Sequence, residues 1–198
     1  MRTDTFYTNR MSREEKEQRF RQHSKTRWMT GLSGAGKTTI ALGLEKELFE
    51  KGYFVKLLDG DDVRTGLNKD LTFSPEDRTE NIRRIAEVNR LFVLSGIITI
   101  NCFISPTHEI RGMAREIIGP DNFIEVFVKA PLEVCEKRDV KGLYAKARAG
   151  LIREFTGIDA PYEVPAHADL VIDTENSSVE SSIRRALDFI IPRIEYKF

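Results

Sequence analysis

Apolar positions along the chain recur at two spacings, and each spacing predicts a different kind of element. Ile40, Ala41, Leu44 and Leu48 fall on one stripe of a helix from Thr38 to Lys51, which a basic residue and then Gly52 close. Ile82, Ile85, Ala86, Phe92 and Val93 give the same stripe to a longer helix. Ser74 is its expected N-cap, Pro75 its first helical position, Glu76 and Asp77 its acidic first turn, and Gly96 its end. Before, between and after these lie short apolar runs that read as strands: 27–30, 53–58, 97–104, 123–129 and 168–173. The run 97–104 is almost continuously apolar, as expected of a strand covered on both faces of a parallel sheet. Thr107 caps a helix to about Ile118, Pro131 opens a short one with Leu132, Val134 and Cys135, and Val179 to Ile194 form the closing helix, with a kink expected at Pro192. Strands alternating with helices predict an α/β fold: a central parallel sheet between two layers of helices, joined by right-handed crossovers.

Ahead of the first strand the pattern changes. Residues 1–26 are polar and densely charged, with Ser12 and Glu15 forming a capping box and Met11 and Phe20 the main apolar members. They are expected to be a polar N-terminal arm, and 27–198 a single domain. A chain of 198 residues suffices for one full core and hardly for two.

Composition adds mostly exclusions. Lys and Arg number 31, as do Asp and Glu, so there is no net charge, and sequence-independent binding to nucleic acid is not expected. No apolar run approaches membrane-spanning length, and the N-terminus lacks a hydrophobic signal core. The two cysteines, Cys102 and Cys135, have no metal-ligand spacing and sit in apolar segments, so buried free thiols and a reduced, cytoplasmic location are expected.

The chemistry begins between the first strand and the first helix. Gly31-Leu32-Ser33-Gly34-Ala35-Gly36-Lys37-Thr38-Thr39 satisfies G-x-x-x-x-G-K-[ST], the phosphate-binding loop of P-loop NTPases. Its glycines turn successive backbone N–H groups inward, and the helix that follows adds the positive end of its dipole. Lys37 is expected at the terminal phosphates of ATP and the Thr38 hydroxyl on Mg²⁺. No Asn-Lys-x-Asp element for guanine follows. The usual second acidic strand end is also missing, because 97–104 runs into Ser105 instead. Asp59 or Asp61, at the end of the second strand, is left to assist the metal through water, and Asp61 is a candidate base for an attacking hydroxyl. Arg64, Arg78, Arg83 and Arg84 follow at positions where forked guanidiniums suit phosphate or sulfate oxygens, or serve only as surface charges. Arg138, Lys141, Lys146, Arg148 and Arg153 cluster in a glycine-bearing stretch, about 138–156, that reads as a mobile lid. Phe73 and Phe155 lie in predicted loops, packing locally or stacking on a flat acceptor ring.

These residues together resemble one family, the adenylylsulfate kinases, from about Trp28 to Asp173. The blocks that carry the resemblance are the glycine loop from Thr30, Leu58-Asp-Gly-Asp, the run from Phe73 to Glu87, Phe103-Ile-Ser-Pro, Arg138-Asp-Val-Lys-Gly-Leu-Tyr and Phe155-Thr-Gly-Ile-Asp-Ala-Pro-Tyr-Glu. The first is common to many P-loop kinases, and the others together are specific to this family. The resemblance implies transfer of the γ-phosphoryl of ATP to the 3′-hydroxyl of adenosine 5′-phosphosulfate, giving PAPS and ADP in sulfate assimilation, with Mg²⁺ and a homodimer. It implies Asp61 as base or metal-organising carboxylate beside Asp59, and Arg64, Arg78 and Asn81 on the phosphosulfate and ribose. Phe73 and Phe155 would lie about the adenine, Ile104 and Lys141 along the acceptor, and Arg138 by the ATP base. Ser105 is a site residue to which the family has had a phosphoserine intermediate ascribed; in-line transfer needs none, and direct transfer is expected.

Asp62, Thr65 and Leu151 depart from the asparagine, histidine and glutamate common in the family. Two other readings stand beside this one: a small P-loop kinase for a nucleoside monophosphate or sugar acid, and a catalytically silent ATP-binding module. Intact Lys37 and Asp61 argue against the second.

Overall fold

The structure is a computed structural model that describes residues 10–197. Five parallel strands form one sheet in the order β2-β3-β1-β4-β5: β1 (Thr26–Thr30), β2 (Val55–Asp59), β3 (Ile98–Cys102), β4 (Phe123–Lys129) and β5 (Leu170–Asp173). Helices α2 (Lys37–Glu50) and α8 (Val179–Ile194) pack together on one face, and α4 (Pro75–Leu94) and α5 (His108–Ile118) on the other. This is the expected three-layer architecture, and among the described residues no helix is long and apolar enough to cross a membrane.

Each face of the sheet has its own core because side chains alternate along a strand. Met29, Ile98, Ile100, Val126, Val128 and Ile172 pack with Ile40, Leu44, Leu48 and Ile190 on the α2–α8 side. Trp28, stacked between Phe103 and Phe123 at 5.5 and 5.6 Å, anchors the α4–α5 side with Ile82, Ile85 and Ile110. β3 is buried on both faces as its apolar run predicts, yet its α4-facing positions are polar. Asn101 exchanges amide hydrogen bonds of 2.8 Å with Asn89, and Thr99 donates to Thr26 at 3.0 Å. Fully paired, such groups are compatible with a core.

The segment before β1 is docked on the domain over its described part. Helix α1 (Arg13–Phe20) starts with the expected capping box of Ser12 and Glu15. Glu17 is buried, accepting from Ser24 N at 2.7 Å and from Arg13 Nε at 2.8 Å. Gln22 donates to the carbonyls of Phe54 and Gly96, and Phe20 stacks on Phe54. Polar groups make most of these attachments, so no apolar stripe announces them. Residues 1–9 of the expected arm lie outside the described residues.

Arg27 is an exception to the pairing of buried groups. It is fully buried in β1, in register with Ile100 and Ile124. Nη1 donates to the Lys25 carbonyl at 2.6 Å, while Nε and Nη2 have no partner, and burial pushes the guanidinium pKa down to about 9. A buried donor left unmade costs about 1–3 kcal/mol. Arg27→Leu is therefore expected to raise stability by about 1–3 kcal/mol and the melting temperature by a few degrees. An unchanged or lower melting temperature would count against an uncompensated charge here.

Candidate active site

The phosphate loop lies where β1 turns into α2, at the carboxyl ends of the strands. Gly31 runs so close to β4 that a Cβ there would sit 2.4 Å from the Val128 carbonyl oxygen. Gly36 caps α2 at φ 97°, a left-handed conformation that costs other residues energy. Lys37 opens the helix and is largely buried. Its Nζ folds back over the loop and donates to the carbonyls of Gly31 and Leu32, both at 2.9 Å. Burial draws its pKa down to about 8. A cavity of about 570 Å³ opens beside the phosphate loop, of which Leu32 alone lines it, with Phe127, Leu132, Ile158 and Tyr162.

Thr38, next along α2, donates its hydroxyl to Asp59 Oδ2 at 2.7 Å. Asp59 ends β2, and its other carboxylate oxygen accepts from Asp61 N at 3.0 Å, capping a short helix α3 (Gly60–Thr65). Asp61 stands exposed on the first turn of α3, with its carboxylate against Lys141 Nζ. The two acids at the end of β2 thus face different partners: Asp59 the Thr38 hydroxyl, Asp61 the Lys141 ammonium of the basic stretch. The Thr38 hydroxyl and a carboxylate are hard oxygen donors suited to Mg²⁺, which keeps water and phosphate oxygens for its remaining positions. Among the described residues no group of three or more His, Cys, Asp and Glu gathers as an all-protein metal cage.

The basic stretch comprises the end of α6 (Leu132–Arg138), a turn and α7 (Leu143–Arg148), and it reaches the phosphate loop at two points. Arg138 donates to the Thr174 carbonyl at 2.6 Å and to its hydroxyl at 3.1 Å, and that hydroxyl donates to the Ala35 carbonyl at 2.8 Å. Tyr144 donates its hydroxyl to the Ser33 carbonyl at 2.9 Å and packs edge-on against Phe155 at 5.0 Å; burial raises its pKa, so the phenol stays neutral.

Arg64, on α3, and Arg78, on α4, are held mainly by backbone carbonyls. Arg64 donates to the Thr72 carbonyl at 2.9 Å with its guanidinium 4.2 Å over the exposed Phe73 ring. Arg78 donates to Phe73 O at 2.9 Å, Thr156 Oγ1 at 3.0 Å and Glu154 O at 2.5 Å, so it spans from one aromatic segment to the other. Burial lowers the pKa of both guanidiniums. The two rings have unlike surroundings: Phe73 is 62% exposed, whereas Phe155 belongs to the core beside Tyr144.

Ile104 and Ser105 follow β3. Thr30 Oγ1 donates to the Ile104 carbonyl at 2.6 Å. Ser105 is 3% exposed at φ 39°; its Oγ accepts from Trp28 Nε1 at 3.0 Å, and its carbonyl accepts from the buried Arg111 at 2.8 Å. Arg111 in turn pairs with Glu125 at 2.8 Å. The hydroxyl therefore points into the core.

The model of the family described as adenylylsulphate kinase matches residues 23–173. The chain belongs to the adenylylsulphate kinase family. An adenylyl-sulfate kinase of Bacteroides thetaiotaomicron is 59% identical over 94% of this chain and 93% of its own. One from Clostridium acetobutylicum is 50% identical over 91% and 90%. The Mycobacterium tuberculosis APS kinase, solved in complex with AMPPNP and APS, superposes with a TM-score of 0.81 at 46% identity, covering 85% of this chain and 98% of that one. A gluconokinase from Sinorhizobium meliloti, 15% identical with a TM-score of 0.57, shares the fold alone. Against the family pattern, the departures Asp62, Thr65 and Leu151 all occupy exposed positions.

Four polar residues next to the site carry no signal that the sequence motifs bring out: Asn68, Arg111, Tyr144 and Thr174. Each acts through a hydrogen bond to a residue distant in the chain, apart from Arg111 to Ser105, six residues away. Tyr144 alone lies inside a block already quoted for the family.

Proposed function

We propose that this protein transfers the γ-phosphoryl of ATP to the 3′-hydroxyl of adenosine 5′-phosphosulfate, giving PAPS and ADP in sulfate assimilation. The observation that carries this reading is the family match over 23–173, which includes the acceptor segments as well as the phosphate loop. In this reading the backbone N–H groups from Gly34 to Thr38 cradle the phosphates, and Lys37 exchanges its carbonyl partners for their oxygens. Arg64, Arg78 and Asn81 hold the phosphosulfate and ribose, with Phe73 and Phe155 about the adenine and Ile104 and Lys141 along the acceptor. Asp61 takes the proton of the 3′-hydroxyl as its oxygen bonds to the γ-phosphorus and the bond to the bridging β,γ-oxygen breaks, releasing ADP. Mg²⁺, when bound, offsets charge on the β- and γ-phosphate oxygens; Thr38 and Asp59 are its proposed protein donors. Arg138 lies by the ATP base, and residues of about 138–156 close over the triphosphate and exclude water.

The proposal includes a homodimer. It also places the enzyme in the cytoplasm, a reading supported by two buried cysteines kept as free thiols. The test is ADP release by purified protein that depends on adenylylsulfate, with AMP and gluconate as comparison acceptors. Equal or faster turnover of either alternative would reject the assignment.

Transfer is direct, because the Ser105 hydroxyl is buried and engaged with Trp28. Ser105→Ala is expected to keep kcat within about tenfold of the parent while losing about 1–3 kcal/mol of stability through the orphaned indole N–H. Turnover by the folded variant and intact mass after incubation with ATP alone check this. A phosphorylated parent together with an inactive, folded variant would overturn direct transfer.

A further inference from the structure

Asn68 is fully buried in the loop between α3 and α4, a polar side chain for which the mechanism above has no use. The backbone fixes its place: Asn68 N donates to the Val63 carbonyl at 2.9 Å, and its own carbonyl accepts from Leu71 N at 3.1 Å. Its Nδ2 donates to Asn81 Oδ1 at 2.9 Å and lies 3.5 Å from the Asn81 main-chain oxygen, while its Oδ1 has no partner. A carboxamide can be turned over without changing its shape, so the direction of this contact needs a cause. The main-chain oxygen supplies it. That oxygen only accepts, so the Asn68 atom facing it is the donor, Nδ2. The Asn81 atom facing the same donor is then Oδ1. Asn81 Nδ2 is turned the other way, and no described residue accepts from it.

We infer that Asn68 is a positioning residue that locks the Asn81 carboxamide with its NH₂ toward the acceptor, so that Asn81 donates to the oxygens of an anionic nucleotide. The inference rests on the proposed function, in which Asn81 contacts the phosphosulfate and ribose. Asn68 itself touches no substrate. It sets the sign of the dipole that Asn81 presents: reversed, Asn81 would offer an oxygen to an anion.

The sign gives the test. Asn68→Asp keeps the size of the side chain and replaces the donor by acceptors. Asn81 then turns its NH₂ toward the introduced carboxylate and presents Oδ1 to the acceptor. Asn68→Ala removes the partner but leaves Asn81 free to choose. The KM for adenylylsulfate is expected to rise on the order of 10–100-fold in Asn68→Asp and about threefold in Asn68→Ala. The KM for ATP, which reports a folded phosphate loop, should stay within about twofold in both. A purely structural role, acting through the cost of burying the new carboxylate, predicts instead that the KM for ATP and the melting temperature worsen together with the KM for adenylylsulfate. Equal effects of the two variants, or a parallel rise in the KM for ATP, would overturn the inference. Turnover of adenylylsulfate by the parent protein reads the functional assignment separately. If the parent prefers another nucleotide acceptor, the same ratio of variants is measured with that acceptor.

Discussion

Asp61→Asn is expected to lower kcat by about 10²–10⁴-fold, with ATP affinity unchanged. The asparagine has nearly the same shape, so α3 and its Asp59 cap persist, since Asp59 receives the backbone N–H of residue 61 and not its side chain. What disappears is an oxygen able to take a proton. An amide in that place can orient the 3′-hydroxyl but cannot accept its proton as the bond to phosphorus forms. The contact with Lys141 also loses its charge, yet both side chains are more than half exposed, so that loss contributes little to stability. Single-turnover rates with saturating ATP isolate the chemical step, and calorimetric titration with an unreactive ATP analogue measures binding. If kcat survives, Asp61 is not the base. If ATP binding falls with kcat, Asp61 acts with Asp59 and Thr38 on the donor side.

That experiment bears on two neighbouring acids whose roles the sequence left joined. Spacing alone placed both Asp59 and Asp61 at a strand end, where ligands of open α/β sheets bind. Only the fold separates them, because α3 begins between them and rotates Asp61 away from Thr38. Features set within a few residues were legible throughout: the glycine loop, the Ser74 and Ser12 caps, and the helical stripes of α2, α4 and α8. Features set across the sheet were not. The Ser105 hydroxyl looks like any serine after a strand until β1 places Trp28 against it, 77 residues distant in the chain. Phe155 reads as a loop aromatic until α7 brings Tyr144 to its edge. Asn68 and Asn81 are 13 residues apart in different elements, and their amides meet only because α3 and α4 fold back on one another. Helix α1 was legible as a helix but not as a docked one, because its attachment uses a buried carboxylate and glutamine in place of an apolar stripe.

Lys37→Met is expected to lower kcat/KM for ATP by about 10²–10³-fold, and the pH dependence of the parent identifies the reason. The ammonium is held by two carbonyl oxygens in a buried place, and burial brings its pKa to about 8. Below that value the lysine is charged and can move from the carbonyls to the phosphates. Above it the free protein holds a neutral amine, and binding ATP must first restore the proton. The apparent Kd for ATP should therefore be flat below about pH 8 and rise up to tenfold per pH unit above it. The rise ends at the higher pKa that the lysine acquires beside the phosphates. Lys37→Met lacks the titrating group, so its weaker binding should carry no such rise, because the triphosphate is already fully ionised at pH 8. A parent Kd that stays flat to pH 10 would mean the ammonium keeps an ordinary pKa. A rise that persists in Lys37→Met would place the titration on another group. The carbonyls of Gly31 and Leu32 are central to this behaviour: they satisfy the amine without neutralising it, and the nearby Asp59 carboxylate only partly offsets the effect of burial, so the phosphates of ATP add the charge that raises its pKa again.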